Sequence, residues 1–196
     1  MSTESLLVAQ EEYLKSGIHI GTKFKTKYMA DFIYKTRSDG LSVLNLQKID
    51  ERIRVVASLL SHYNPQDILL ASRRENSWKA IKVFAKATGV RAYAGRYPPG
   101  ILTNPELKSF VEAKIVFVID PWLDKNPIKD AILVHLPIIS LCDTNNVASN
   151  IDLVVPCNNK SNKTIGLALW VIAREYNKAR NISNELPSLE EFQKEK

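Results

Sequence analysis

Cysteine and histidine are scarce in this sequence: its 196 residues include two cysteines and three histidines. Cys142 and Cys157 do not form a Cys-x-x-Cys pair, and no histidine stands at a ligand spacing from a cysteine or a carboxylate. The spacing therefore excludes a zinc ribbon and a dithiol redox motif, and we expect no metal ligand. We expect two reduced, buried thiols; a disulfide between them, as in heat-adapted intracellular proteins, is the alternative.

Long apolar runs are also missing, and no stretch approaches the ~20 residues that a membrane-spanning helix needs. The start of the chain, MSTESLLVAQEEYLKSG, lacks the basic beginning and the uninterrupted apolar stretch of a signal peptide. We therefore expect a soluble, intracellular protein. The length suits a single α/β domain, which we place at residues 1–180, followed by a loosely ordered polar tail at 181–196.

What the sequence does contain is an alternation of buried strands with amphipathic helices. Four short apolar runs do not alternate with polar residues, which is typical of parallel strands covered on both faces; they are residues 68–71, 115–119, 138–142 and 153–155. Helical stripes begin at Ile49, Trp78 and Ile165. This pattern predicts a doubly wound α/β sandwich with a mainly parallel sheet, preceded by an N-terminal helix and a hairpin over 32–45.

Positive charge is concentrated in the N-terminal half, although the net charge is only +6. Residues 15–54 contain nine Lys and Arg against four Asp and Glu, and residues 71–100 contain seven against one. Residues 101–157 contain four basic against seven acidic residues. Because polyanions bind through neutralised phosphates and released counterions, we expect the N-terminal half to face a nucleic acid.

The first basic cluster, GTKFKTKY at residues 21–28, alternates lysines with other residues and includes two aromatics. On an extended segment Lys23, Lys25 and Lys27 would share one face, which suits contact along a phosphate backbone. Phe24 or Tyr28 would then be available to stack on an unpaired base. The alternative is a solvated strand whose aromatic rings lie in the core.

Two further clusters lie in the second basic stretch. Ser72-Arg73-Arg74-Glu75 has the spacing of a capping box and predicts a helix start at which amides and guanidinium groups bind an anion. RYPPG at residues 96–100 predicts a stiff loop that presents an Arg96–Tyr97 pair. The respective alternatives are a capped helix with exposed arginines and a purely structural turn.

An enzyme that binds a nucleotide or a phosphate metabolite is the competing hypothesis, because doubly wound sheets bind ligands at the carboxyl ends of their strands. Asp120 and Asp143 follow two of these strands and could hold Mg²⁺. However, no phosphate-binding glycine motif or nucleophile elbow occurs, and His19 in GIHIG is better explained as a packed histidine. Turn and cap roles for the aspartates are therefore favoured, with no catalytic residue and no cofactor.

These segments together resemble the small-subunit ribosomal protein S-two family, whose eukaryotic branch includes the laminin-receptor precursor. The resemblance runs from about Leu6 to about Arg180 through six blocks in the family's order, which are GIHIGTKFKTKYM, DGLSVLNLQKIDERI, ILLASRRENSWKAI, AGRYPPGILTNP, VFVIDP and PIISLCDTNNVASNIDLVVPCNNKSNKTIGL. It implies a flavodoxin-like three-layer sandwich that is a structural constituent of the small ribosomal subunit and not an enzyme. It also implies that small-subunit ribosomal RNA and neighbouring ribosomal proteins are its partners.

The branch of the family is indicated by what is missing. Only residues 105–114 separate Asn104 from Ile115, so the coiled-coil insertion of bacterial members is absent, and the sequence stops soon after Arg180, without the long eukaryotic extension. The sequence therefore resembles the archaeal type. Charge clustering and position within the family blocks predict the RNA-binding residues, which are Lys23, Lys25, Lys27, Arg37, Arg73, Arg74, Arg96 and Tyr97. A purely protein-binding scaffold is a third hypothesis, against which the arginine clusters weigh.

Overall fold

The protein was analysed as a computed structural model, which describes residues 6–182 and 186–193. The helices and strands follow one another in the order α1 Gln10–Ser16, β1 Ile33–Thr36, β2 Ser42–Leu44, α2 Leu46–Ser61, β3 Ile68–Ser72, α3 Trp78–Thr88, β4 Arg91–Ala94, β5 Ile115–Val118, α4 Lys125–Leu133, β6 Ile138–Cys142, β7 Leu153–Pro156, α5 Asn162–Ala179 and α6 Leu189–Gln193. Among these described residues, no helix is long and apolar enough to cross a lipid bilayer.

Five parallel strands form the central sheet in the order β4-β3-β5-β6-β7. Leu70 of β3 lies opposite Ala92 of β4 on one side and opposite Phe117 of β5 on the other. The chain therefore reverses its direction of travel across the sheet between β3 and β5, as in flavodoxin-like folds. The predicted fold class is confirmed, and all four strands predicted from apolar runs are present.

Both faces of the sheet are buried, which explains why its strands do not alternate in polarity. Ile68 and Leu70 of β3 belong to the larger core on the side of α2, α3 and α5, whereas Leu69 and Ala71 belong to a smaller core. The smaller core is closed by α4 and by loop residues Ile101, Leu102 and Val111. Each strand thus has an apolar layer on either side, and polar groups concentrate at the strand ends.

The N-terminal hairpin is also confirmed. Strands β1 and β2 pair antiparallel, and the turn between them closes through Gly40, whose φ of 84° suits a residue without a Cβ. Leu44 of β2 is buried in the larger core, so the hairpin is anchored at that end. The other strand is mostly exposed, and its basic and aromatic side chains face the solvent.

Two local predictions need correction. No capping box forms at Ser72, because this residue ends β3 and its hydroxyl accepts hydrogen bonds from the Arg74 amide at 3.2 Å and the Ser77 hydroxyl at 2.8 Å. A short 3₁₀ turn, Glu75–Ser77, follows, and α3 begins only at Trp78. The second correction concerns residues 186–193: Phe192 is fully buried, and the Trp170 indole donates to the Pro187 carbonyl oxygen at 3.1 Å. This part of the expected loose tail packs on α5, while 183–185 and 194–196 lie outside the described residues.

Candidate nucleic-acid interface

The first candidate surface, named here the hairpin surface, combines the segment after Gly21 with β1 and its turn. Its members are all exposed and are basic or aromatic; they are Lys23, Phe24, Lys25, Lys27, Tyr34, Lys35 and Arg37. The exposed fraction reaches 80% for Phe24 and 69% for Tyr34. The alternative in which Phe24 lies in the core is therefore excluded, and its ring is free to stack.

The backbone of residues 21–27 is not a strand but a loop fastened to the carboxyl end of β6. The Thr22 amide donates to the Thr144 hydroxyl at 2.9 Å, and the Thr26 amide donates to the Thr144 carbonyl oxygen at 2.9 Å. Gly21 lies so close that a Cβ there would stand 2.5 Å from Cγ2 of Thr144. The three lysines thus project from a backbone that is held at both ends.

Arg37 extends this surface around the hairpin turn. Its guanidinium lies 3.7 Å from the Asp39 carboxylate, and both side chains are about half exposed.

Burial, and after it the positive charge of Arg37, lowers the pKa of His19 below its usual value. His19 is half-buried, and its burial favours the neutral form, in keeping with the packed histidine that the sequence favoured.

The second candidate surface, named here the Trp122 groove, has a volume of about 640 Å³. Arg73, Arg96 and Lys125 line it, together with Trp122, whose side chain is 63% exposed. The structure therefore brings together two arginines that the sequence placed in separate clusters. Sequence reasoning missed Trp122 and Lys125; the available signal was an aromatic residue directly after the Asp120-Pro121 turn.

Tyr97 lies beneath this groove. Its ring is 6% exposed, and its hydroxyl donates to the Asp130 carboxylate at 3.1 Å. Burial, the Asp130 charge and this hydrogen bond raise the pKa of Tyr97. The same Asp130 oxygen accepts from the Gly100 amide at 2.7 Å. The expected exposed Arg–Tyr pair is therefore corrected: Arg96 faces the solvent, whereas Tyr97 holds the RYPPG loop from inside.

Arg73 and Arg74 point in different directions although they are neighbours. The Arg74 guanidinium forms an ion pair with the Asp120 carboxylate, and the two side chains are 22% and 4% exposed. The other Asp120 oxygen accepts from the Trp122 amide at 3.0 Å and from the Asn146 side-chain amide at 3.1 Å. Arg74 thus belongs to the interior of the strand ends, and only the Arg73 side chain is exposed.

The amide at which the sequence predicted anion binding already has a partner within the protein. The Asp124 carboxylate accepts from the Arg73 amide at 2.7 Å and from the Asp120 amide at 3.1 Å. Burial outweighs these hydrogen bonds and raises the pKa of Asp124 to about 7. The carboxyl ends of β3 and β5 are therefore closed by the protein's own side chains.

The ends of β6 and β7 are closed in a similar way. The Asp143 carboxylate lies 2.9 Å from the Lys160 ammonium and accepts from the Thr144 amide at 2.6 Å. The Asn159 side-chain amide donates to the carbonyl oxygens of Ile119 and Leu141 and to Asn146 Oδ1, at 3.0–3.2 Å. Asp120 and Asp143 thus hold turns and basic side chains. Within residues 6–182 and 186–193, no cluster of His, Cys, Asp or Glu is arranged to hold a metal ion.

The two cysteines are free thiols in the interior beside this edge. Burial raises the pKa of Cys142 to about 12 and that of Cys157 well above its usual value. Neither thiol is therefore ionised near neutral pH, and both are buried, as the sequence predicted.

Comparison with known proteins gives consistent matches. A family model described as ribosomal protein S2 matches residues 13–111 and 107–179. A small ribosomal subunit protein uS2 from Methanococcus maripaludis is 48% identical over 185 residues, which cover 94% of this chain and 84% of that protein. The protein of the same name from Nanoarchaeum equitans is 44% identical over 176 residues, covering 90% of this chain and 88% of that protein.

Proposed function

The chain belongs to the ribosomal protein S2 family and is thus a structural constituent of the small ribosomal subunit, and we propose that it binds small-subunit ribosomal RNA through the hairpin surface and the Trp122 groove. The two relatives named above are archaeal, in agreement with the archaeal type inferred from the sequence. As a small-subunit protein it acts in translation, in the cytoplasm, and not as an enzyme.

The observation that carries this proposal is a set of exposed cations without acidic partners. Among the residues that the structure describes, no ion pair involves the side chains of Lys23, Lys25, Lys27, Arg73 or Arg96. An exposed cation that is already paired has less to gain from a phosphate, whereas these five break no ion pair on binding one. Each of the two surfaces also exposes an aromatic ring, Phe24 in the hairpin surface and Trp122 in the groove, on which an unpaired base can stack.

The eight residues predicted from the sequence divide into two roles under this proposal. Six have exposed side chains and contact RNA, namely Lys23, Lys25, Lys27, Arg37, Arg73 and Arg96. Arg74 and Tyr97 instead hold the backbone from inside through Asp120 and Asp130. Loss of either would therefore act on RNA binding through the shape of the groove.

Neighbouring ribosomal proteins are the second class of partner in this proposal. The last turn of α4 and the residue after it expose Ile132, Leu133 and Val134, with Leu133 70% exposed. Because α4 runs back from the carboxyl end of β5 to the amino end of β6, this apolar patch lies at the opposite end of the sheet from the Trp122 groove. An exposed apolar patch suits contact with a protein better than contact with RNA phosphates.

The test compares two triple variants with the same loss of charge. Lys23→Ala/Lys25→Ala/Lys27→Ala removes cations from the hairpin surface, and Lys82→Ala/Lys86→Ala/Lys178→Ala removes exposed lysines from α3 and the end of α5. Affinity for a small-subunit RNA fragment is measured by filter binding over a range of salt concentrations.

The slope of log K against log salt is negative, and we expect its magnitude to decrease by about two to three units in the hairpin variant. Each lost phosphate contact removes about 0.7–0.9 units. The helix variant should keep the wild-type slope. Equal slopes in the two variants would show that the hairpin surface has no special part in binding, and saturable nucleotide–Mg²⁺ binding in a calorimetric titration would favour the enzyme hypothesis.

A further inference from the structure

Trp122 is exposed on a turn that several hydrogen bonds to Asp120 stabilise. Its own amide donates to Asp120 Oδ1 at 3.0 Å, and the amides of Leu123 and Asp124 donate to the Asp120 carbonyl oxygen at 3.1 and 2.9 Å. The other Asp120 oxygen is paired with Arg74. A large apolar ring is thus held in the solvent on a rigid backbone, while Trp78 and Trp170 are half-buried.

The walls around this ring are positively charged. Arg73 and Arg96 approach from the ends of neighbouring strands, and Lys125 begins α4 directly after the turn. Asp124 is the acidic residue of the groove, but its two oxygens accept from the amides of Arg73 and Asp120. In the described part of the chain, the three cations form no ion pair. The groove therefore offers one aromatic face and three free cations.

We propose that the Trp122 groove binds a single unpaired nucleotide of small-subunit RNA, with the base stacked on Trp122 and the flanking phosphates held by Arg73, Arg96 and Lys125. This proposal rests on the proposed function and adds to it the class of nucleotide and the separate roles of Trp122 and Lys125. The groove volume of about 640 Å³ lies within the range of roughly 300–1,000 Å³ that is usual for sites of small ligands.

A base within a double helix is stacked on both faces, so an indole can stack only on a base that is unpaired and splayed out. A surface that held RNA through phosphates alone would need no exposed ring. The combination of a fixed ring with cations on several sides therefore favours a nucleotide within a single strand over a regular duplex.

The test uses the full-length protein, a single-stranded fragment of small-subunit RNA, and the same fragment annealed to its complement. The variants are Trp122→Ala, Trp122→Phe and Lys125→Ala, with Val55→Ala as the matched control, because Val55 is an exposed apolar residue on α2, outside both candidate surfaces. Urea unfolding of each variant checks that the fold is intact. The part of the tryptophan emission that Trp122→Phe removes is the signal of Trp122 itself.

We expect RNA to quench the Trp122 emission, and Trp122→Ala to weaken single-strand binding by about fivefold to a hundredfold without changing the salt slope. Trp122→Phe should recover part of the affinity that Trp122→Ala loses. Lys125→Ala should decrease the magnitude of the slope of log K against log salt by about 0.7. Val55→Ala should bind the RNA as the wild type does. The affinity for the duplex should be the same with and without the Trp122 ring.

The outcomes separate this proposal from the proposed function. If the wild type binds the RNA in a salt-dependent way and Trp122→Ala binds equally well, the nucleotide site is refuted and the proposed function stands. If the wild type does not bind small-subunit RNA, the proposed function itself fails. If a free mononucleotide quenches Trp122 as strongly as the RNA at equal concentration, the groove is a site for small nucleotides and the proposal is overturned.

Discussion

Replacing Arg73 or Arg74 by alanine removes the same charge from neighbouring positions, yet we expect the two variants to differ in which property they change. The Arg73 side chain is exposed, and the hydrogen bond from its backbone amide to Asp124 would survive in alanine. The Arg74 side chain is paired with the buried Asp120 carboxylate. Arg73→Ala should therefore change RNA binding, and Arg74→Ala should change stability.

The cost of Arg74→Ala follows from what Asp120 would lose. Removing one partner of a buried ion pair costs ~3–5 kcal/mol, because the remaining charge is left uncompensated. Asp120 would keep hydrogen bonds from the Trp122 and Asn146 amides, and Arg74 is itself 22% exposed. We therefore expect the free energy of unfolding to fall by about 2–3 kcal/mol, somewhat below that range.

Arg73→Ala should change the free energy of unfolding by no more than about 0.5 kcal/mol, as exposed substitutions usually do. Its expected effect is a salt dependence of RNA binding that is less steep by about 0.7 in log K per log salt, the value for one lost phosphate contact on a single strand. Urea unfolding and filter binding on both variants measure the two quantities. Incorporation into small subunits after a high-salt wash gives a third measurement.

A double variant tests the physical reason given for Arg74. In Asp120 one oxygen accepts both amide hydrogen bonds and the other meets Arg74. Asparagine keeps the accepting oxygen and removes the charge, so Asp120→Asn should restore part of the stability lost in Arg74→Ala. The reasoning is refuted if Arg74→Ala is as stable as the wild type, or if the double variant is less stable than Arg74→Ala.

Two further predictions concern the segments that close the strand ends. Gly21→Ala places a Cβ 2.5 Å from Cγ2 of Thr144 and should lower the free energy of unfolding in urea by about 1–3 kcal/mol. Thr144→Ser removes that methyl group, so the double variant should recover part of the lost stability. A double variant no more stable than Gly21→Ala would contradict this explanation. Since the pKa of Asp124 is raised from 3.8 to about 7, the folded state binds its proton more tightly, so the stability that it contributes is full below pH ~4 and is lost as the pH rises through about 7. Asp124→Asn should therefore flatten the fall of the unfolding free energy over this window, and identical pH profiles would exclude the effect.

The sequence predicted the elements that are buried on both faces or that carry a regular apolar stripe. Residues 68–71 form β3 because every side chain there is buried, and the stripe that begins at Ile165 belongs to α5, the most deeply buried helix. Strand β4 and helix α4 did not stand out. β4 is an edge strand with half-exposed residues, and α4 has nine residues with a proline in its first turn, so neither has a long apolar signal.

The sequence predicted which charged residues belong to the candidate site, but not where their side chains lie relative to one another. Local sequence gives Arg73 and Arg74 the same environment, and only the position of Asp120, 46 residues further along, makes one internal and the other external. The exposed ring of Trp122 was likewise hidden, because its place beside Arg73 and Arg96 depends on the pairing of β3 with β4 and β5. Long-range contacts of this kind have no local signature.

The closed strand ends explain how a ligand-binding type of fold serves a structural role. Flavodoxin-like sheets bind ligands in the crevice where the strand order reverses, which lies here between β3 and β5. At that point Arg74 pairs with Asp120, and Asp124 accepts from the Arg73 amide, so the two carboxylates that would meet a ligand already have partners within the protein. The same hydrogen bonds hold the backbone from which Arg73 and Trp122 project outward. A groove that is rigid before binding loses little conformational entropy when RNA binds. The internal network therefore acts on RNA binding indirectly, by keeping the outer groove in its binding shape.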